Sequence, residues 1–248
     1  MVYLRSMLFY FGMLIITMVH NAFIPFLYLF PLTHFQRYAY LVQWSRMVML
    51  WLKVSCGLTY RVIGTENIPR GPAVILAKHQ SAWETISLQQ IFPPQTWVLK
   101  RELLHIPIFG WALRATRPVA INRGSTKEAL RQVLEQGQQR LNEGLWMVVF
   151  PEGTRTLPGV RGRYAIGGAM LAERSGYPVV PVAHNAGEFW KAKGFLKYPG
   201  EITVAIGPVI ETAGRKAGDI NRQVEEWIEN TMTQITTLKP GSGNSTSS

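Results

Sequence analysis

Hydrophobic positions divide this chain into two regimes. From Met7 to Leu32 apolar residues run almost without interruption and without a formal charge. At about 1.5 Å per residue, a helix of that length can cross a hydrocarbon core of about 30 Å. His20, Asn21 and Pro25 break the run, and either a kink or a re-entrant hairpin fits them. No small-x-small cleavage site follows, which favours a retained membrane segment over a cleaved signal peptide. A second helical pattern covers Phe35 to Val54. Its polar residues Gln36, Gln43, Arg46 and Lys53 fall on one face, leaving a polar stripe narrower than a soluble helix usually has. It reads as interfacial, or as packed on the first helix with its basic stripe toward lipid headgroups. A core helix of the following domain is the other reading.

After Gly57 short apolar runs alternate with helical patterns. The runs Thr59–Gly64, Ala73–Ala77, Thr96–Lys100, Pro118–Ile121, Trp146–Phe150, Val179–Ala183 and Glu201–Ile206 predict strands. Most are continuous rather than alternating, as expected when helices cover both faces of a sheet. Helices are predicted from Ser125 to Asn142, opening with a Ser125-x-x-Glu128 capping box, from Gly167 to Arg174, and from Ile220 to Leu238 after an Asp219 cap. The fold class is therefore α/β, with a mainly parallel or mixed sheet of about seven strands flanked by helices. The chain divides into membrane-associated helices at 1–56, an α/β domain at 57–239 and a disordered tail at 240–248, PGSGNSTSS.

Charge narrows the choice of partner. The formal net charge is +11, and no acidic residue precedes Glu66, whereas Arg5, Arg37, Arg46, Lys53 and Arg61 all do. Basic residues beside apolar helices suit a bilayer surface better than a nucleic-acid groove, and no zinc-ligand spacing or aromatic-rich RNA motif is present. The lone Cys56 excludes an intramolecular disulfide.

Distinctive polar residues follow the predicted strands directly. His79 follows AVILA, Arg123 follows VAIN, Pro151-Glu152-Gly153-Thr154-Arg155 follows WMVVF, and His184-Asn185 follows VVPVA. In a parallel sheet the carboxyl ends of strands line one edge, where ligands bind, so these distant residues can converge. His20, His34 and His105 read as ordinary core or surface histidines. The chain has no Gly-x-Ser-x-Gly elbow, no Walker loop, no Gly-x-Gly-x-x-Gly after a strand and no His-Glu-x-x-His.

Four blocks, in order, resemble the PlsC-type glycerolipid acyltransferases, the 1-acyl-glycerol-3-phosphate acyltransferases, over about Leu58 to Ile210. They are KHQSAWE, which matches the family's His-x4-Asp block, KRELLHIPIFGWALRATRPVAINR from Lys100 to Arg123, FPEGTRT from Phe150 to Thr156, and VVPVAHNAG from Val179 to Gly187. The resemblance implies transfer of a fatty acyl group from an acyl-ACP or acyl-CoA thioester to the free hydroxyl of a lysophospholipid. His79 would be the general base and Glu84 would hold its imidazole. Arg123 and Arg155 would bind the acceptor phosphate, with Glu152, Gly153 and Thr154 shaping that pocket and Lys100 as a further phosphate candidate. It implies no metal and no cofactor beyond the acyl donor, which is a substrate. It also implies three partners, namely a lysophospholipid, an acyl carrier protein or CoA thioester, and the bilayer. The expected location is the inner (plasma) membrane with the catalytic domain on its cytoplasmic face.

Two positions depart from the family pattern. Residue 84 is glutamate, one methylene longer than aspartate, and Ala165 stands where many relatives have lysine, with Arg161 and Arg163 nearby. The same chemistry on another lysolipid, such as a lyso-ornithine lipid, or on glycerol 3-phosphate stays open, as does a non-catalytic lipid-binding protein. Glu84 also completes a Ser81-x-x-Glu84 capping box. A continuous helix would set residues 79 and 84 about 140° apart. A chain break at Ser81 is what lets them meet, and the expectation is that Glu84 faces His79.

Overall fold

All seven apolar runs become strands. The computed structural model describes residues 1–92, 94–106, 109–122 and 126–238. The strands are β1 (Leu58–Ile63), β2 (Val74–Ala77), β3 (Gln95–Lys100), β4 (Val119–Ile121), β5 (Trp146–Val149), β6 (Val179–His184) and β7 (Gly200–Ile206). They form one sheet in the order β1-β7-β6-β2-β5-β3-β4. β6, β2, β5, β3 and β4 are mutually parallel, while β7 runs antiparallel to β6 and carries β1 with it. The sheet is thus mixed, and β2 lies near its centre with its carboxyl end on the edge shared by the five parallel strands.

The helices are α1 (Val2–Ala22), α2 (His34–Cys56), α3 (Trp83–Ile91), α4 (Phe109–Ala115), α5 (Thr126–Asn142), α6 (Gly167–Ser175), α7 (Ala186–Phe189) and α8 (Ala217–Ile235). They form two layers. Ile75, Ala77, Val148, Val180, Val182, Ile202 and Val204 pack with Phe9 of α1, Val48 and Leu52 of α2, and Trp83 and Leu88 of α3. The alternate positions Val74, Leu76, Met147, Val179, Ala183 and Ala205 pack with α5, α6 and α8. This two-residue alternation explains why the strands read as unbroken apolar runs.

The N-terminal pair follows the expected pattern with shifted limits. α1 begins earlier than Met7 and ends at Ala22, and a 3-10 turn at Pro25–Tyr28 reverses the chain into α2. Thr33 and Gln36 form a reciprocal capping box at the start of α2, and Gly57, at φ 68, ends it in the left-handed conformation that glycine tolerates. The two readings of α2 combine. One side buries Leu41, Val48 and Leu52 in the core, and another leaves Met47, Leu50 and Val54 exposed. The exposed apolar residues of α1, among them Leu4, Phe11, Leu14, Ile15 and Met18, extend this surface. The Val2–Tyr28 segment is the one helical stretch among the described residues that is long and apolar enough to cross a membrane.

Some expected caps are placed differently. Lys216, not Asp219, is the N-cap of α8, and Asp219 instead pairs with Arg222 at 2.7 Å within the first turn. Ser125 and the 240–248 tail lie outside the described residues.

Candidate active site

The alternation of β2 continues past its end. Lys78 N–H still donates to Val182 O at 2.9 Å, so Lys78 and His79 leave the sheet on opposite faces. His79 turns toward α3, where Nδ1 lies 2.8 Å from Glu84 Oε1. That oxygen also accepts the backbone N–H of Gln80 at 3.0 Å and of Ser81 at 2.8 Å. The alternatives for Glu84 are therefore both realised, on a single oxygen atom. The N-cap of α3 is Ala82, one residue beyond the expected Ser81, and Ser81 Oγ instead accepts Trp83 N–H at 3.1 Å. The shift leaves the chain break in place, and the break brings the histidine and the carboxylate together.

Glu84 is fully buried. Burial alone would raise its carboxyl, but His184, the His79 hydrogen bond and the Ser81 N–H together bring it below the usual carboxylate range. An ionised carboxylate only accepts, so His79 Nδ1 carries the proton and Nε2 presents a lone pair. Nε2 has no hydrogen-bond partner among the described residues, and the side chain keeps 14% of its exposure. His184 Nε2 is 3.9 Å from Glu84 Oε2, and burial holds this imidazole's pKa down. Its Nε2–H donates to Lys78 O at 2.8 Å, and its Nδ1 accepts Ala186 N–H at 3.3 Å, which satisfies the neutral ring.

The FPEGTRT block grips His79 from the other side. Phe150 stacks on the imidazole with ring centroids 4.1 Å apart and an interplanar angle of 16°. Glu152 Oε2 accepts His79 N–H at 2.8 Å, and Thr156 N–H donates to His79 O at 2.8 Å. Each such bond contributes about 0.5–1.5 kcal/mol, more where a charge takes part. Both backbone groups and one ring face of the histidine are thereby fixed by a segment more than seventy residues away in sequence.

On the opposite sheet face Lys78 is buried. Its Nζ lies 2.8 Å from Glu152 Oε1 and 2.8 Å from Glu229 Oε1 of α8. Tyr164 Oη donates to Glu229 at 2.8 Å, and burial followed by that carboxylate pushes the Tyr164 phenol up. One lysine thus neutralises the buried carboxylate that holds His79 in place.

A histidine whose Nδ1–H is fixed by a carboxylate and whose Nε2 is open at a sheet edge is equipped to remove a proton from a hydroxyl. The sequence model of the Acyltransferase family matches residues 59–185, spanning the dyad and the gripping loop. The chain belongs to the acyltransferase family. It is 46% identical over 207 residues to a 1-acyl-sn-glycerol-3-phosphate acyltransferase of Pseudomonas aeruginosa, covering 82% of this chain and 80% of that one. A protein of the same name from Saccharomyces cerevisiae is 29% identical over 213 residues, covering 79% of this chain and 68% of its own. Among solved structures, the 1-acyl-sn-glycerophosphate (LPA) acyltransferase PlsC of Thermotoga maritima shares the fold. Its TM-score is 0.79 at 22% identity, covering 96% of this chain and 97% of that one.

Within this acyltransferase the sequence-derived residues separate into two groups. His79 and Glu84 meet as expected. The Glu152 side chain is fully buried, with Oε1 2.8 Å from Lys78 Nζ. Its other oxygen accepts His79 N–H, so Glu152 ties Lys78 to the histidine. Gly153, at φ 68, turns the loop so that Gly153, Thr154 and Arg155 are exposed. Arg155 has no ion-pair partner among the described residues, whereas Arg161 is committed to Glu225 at 2.6 Å. Lys100 is exposed at the carboxyl end of β3. Arg123 lies outside the described residues. Sequence reasoning missed Lys78, Glu229, Tyr164 and Thr156. Lys78 did carry a signal, since a lysine closing an apolar strand run must find a buried counter-charge.

Proposed function

We propose that His79 Nε2 is the general base of an acyl transfer to the free hydroxyl of 1-acyl-glycerol-3-phosphate, giving phosphatidic acid. As the hydroxyl oxygen attacks the thioester carbonyl, Nε2 takes its proton, and the imidazolium formed is stabilised by Glu84. Collapse of the tetrahedral intermediate expels the thiolate, which receives that proton from His79. The chain thus acts as a 1-acyl-glycerol-3-phosphate O-acyltransferase, the activity named for relatives on both sides of the bacterial–eukaryotic divide. The observation that carries the mechanism is the 2.8 Å Nδ1–Glu84 contact beside an unpartnered Nε2.

Arg155, with Arg123 and Lys100, binds the acceptor phosphate. An exposed guanidinium free of carboxylates suits a dianion, and each charged hydrogen bond contributes about 1.5–3 kcal/mol. The donor is an acyl-ACP or acyl-CoA thioester. Residues 1–56 form the membrane-associated unit and 57–239 the acyltransferase domain, placed on the cytoplasmic face of the inner membrane. The exposed apolar side of α1 and α2 supports that arrangement.

The test is acyl transfer by purified protein from labelled acyl-ACP and acyl-CoA to 1-acyl-glycerol-3-phosphate, glycerol 3-phosphate and a lysolipid without phosphate. Folded His79→Ala is the control. Equal rates for His79→Ala and wild type would remove the base assignment. Preference for the acceptor without phosphate would remove the arginine roles.

A further inference from the structure

A cavity with mixed polar and apolar walls lies away from the dyad. It has a volume of about 270 Å³ and is lined by Arg46, Met49, Leu50, Lys53, Leu58, Thr59, Tyr60 and Gln90. It shares no lining residue with the His79 site, and Gln90 lies about 9 Å along α3 from Glu84.

The lining charges are of one sign. Arg46 and Lys53 are exposed, seven residues apart on α2, and neither has an ion-pair partner among the described residues. No Asp or Glu lines the cavity. Tyr60 Oη faces Gln90 Oε1 at 3.4 Å, and Gln90 Nε2 is held by Ser45 Oγ at 2.8 Å, so the wall behind the two cations is ordered.

Helical geometry fixes what lies beside them. With about 100° per residue, Leu50 falls about 40° from Arg46, Val54 about 80° and Met47 about 100°. All three are exposed, at 63%, 64% and 40%. Beyond them on α2 lie Trp44 and Trp51, which bond to α1 through Thr17 Oγ1 and the carbonyls of Leu8 and Phe9. The cations therefore border the exposed apolar residues Leu50, Val54 and Met47, with the exposed Gln43 about 60° from Arg46 on the same side. Apolar side chains in the acyl region with cations at headgroup depth are the features of a lipid-headgroup site.

We propose that the Arg46–Lys53–Tyr60 cavity binds the phosphate of an anionic phospholipid, as a site separate from the one that holds the acyl acceptor. The guanidinium takes the phosphate bidentately, the ammonium adds a point charge, and Leu50 and Val54 lie along the lipid's glycerol and upper acyl carbons.

The test is native mass spectrometry of the detergent-solubilised full chain titrated with phosphatidylglycerol, phosphatidylcholine or inorganic phosphate. One tightly bound phosphatidylglycerol is expected, not displaced by phosphatidylcholine and retained in Arg155→Gln. Arg46→Gln with Lys53→Gln is expected to weaken it about a thousandfold, about tenfold for each of the three charged hydrogen bonds. Arg46→Lys, which keeps the charge but loses the planar fork, is expected to weaken it about tenfold. Arg174→Gln with Lys216→Gln, an equal charge loss on the other helical layer, should leave binding unchanged. Equal losses in the two double variants would reduce the effect to net charge and overturn the site. Loss of the lipid in Arg155→Gln would place it at the acceptor site instead. Displacement by inorganic phosphate at comparable affinity would identify a free anion as the ligand. Unchanged lipid binding with a raised KM for acyl-ACP would assign the cations to an acidic carrier protein, again overturning the proposal.

Discussion

Glu84→Gln isolates the charge of the dyad from its geometry. Glu84 Oε1 accepts from His79 Nδ1, Gln80 N and Ser81 N, while Oε2 has no hydrogen-bond partner among the described residues. The glutamine amide has two orientations. With its oxygen at the Oε1 position all three hydrogen bonds survive. With its NH2 there, three donors face a donor, which is much the worse choice. The two backbone N–H groups therefore pin the amide oxygen against His79, and the imidazole keeps its proton on Nδ1. The variant loses the carboxylate charge and little else. An NH2 without an acceptor at the Oε2 position costs about 1–3 kcal/mol, offset in part because a buried charge no longer needs compensation.

The catalytic effect follows from the same geometry. Stabilisation of an imidazolium by a carboxylate about 4 Å away, charge to charge, is about 4 kcal/mol at an effective dielectric of about 20. Some of this is recovered by the neutral hydrogen bond that remains, which leaves about 3 kcal/mol, or a turnover loss of about hundredfold to thousandfold. The loss is smaller than the about ten thousandfold of the serine-protease aspartate-to-asparagine change, where the tautomer is also wrong. The assay is turnover of labelled acyl donor at saturating acceptor, with circular dichroism to establish folding. Folded Glu84→Gln turning over within about threefold of wild type would refute the reasoning, because the charge would then contribute nothing in the transition state.

The remaining perturbations probe the brace and the pocket. Lys78→Met leaves the Glu152 and Glu229 carboxylates without their cation, and a stability loss of about 3–5 kcal/mol is expected in urea unfolding. A loss near zero would show that the pair is not charged in the folded state. Arg155→Gln should change stability by less than about 0.5 kcal/mol while raising KM for the phosphorylated acceptor about tenfold or more. An unchanged KM would place the phosphate elsewhere. Acidification should also expose Glu84. Its folded pKa is below the unfolded value of about 4.3, so its contribution to stability is complete above that value and is lost as pH falls through the folded pKa. The unfolding midpoint of Glu84→Gln is therefore expected to fall less steeply than that of wild type over that acid range. Parallel curves for the two proteins would contradict the depressed pKa.

How much of this was legible in sequence depends on whether an interaction is local. The strands were legible because helices cover both faces of the sheet, so Val74–Ala77 and Val179–Ala183 had to be apolar throughout. The His79–Glu84 contact was legible because both partners lie within one turn of a chain break, where capping chemistry constrains them. The cap itself moved by one residue, a difference within the tolerance of helix ends. The reversal of β1 and β7 was not legible, since an apolar run carries no direction. Neither was the Lys78–Glu229 pair, which joins residues 151 positions apart and depends on how α8 crosses the sheet.

The FPEGTR block sends two residues of opposite charge to opposite environments. Read as a string, Glu152 and Arg155 are neighbours of opposite sign. The Gly153 turn separates them physically, sending the glutamate inward to Lys78 and His79 N–H and leaving the arginine exposed. Gly162 closes over the inner half, since a Cβ there would come within 2.7 Å of Glu152 Oε1. The acidic residue is thereby turned away from the exposed arginine, and under the proposed mechanism it holds His79 in place. A Gly162→Ala substitution tests this separation without altering any charge. Because Glu152 can yield only by releasing Lys78 or His79 N–H, turnover should fall while KM for the acceptor changes little. Wild-type turnover with a raised KM would instead mean that the inner carboxylate belongs to the binding pocket.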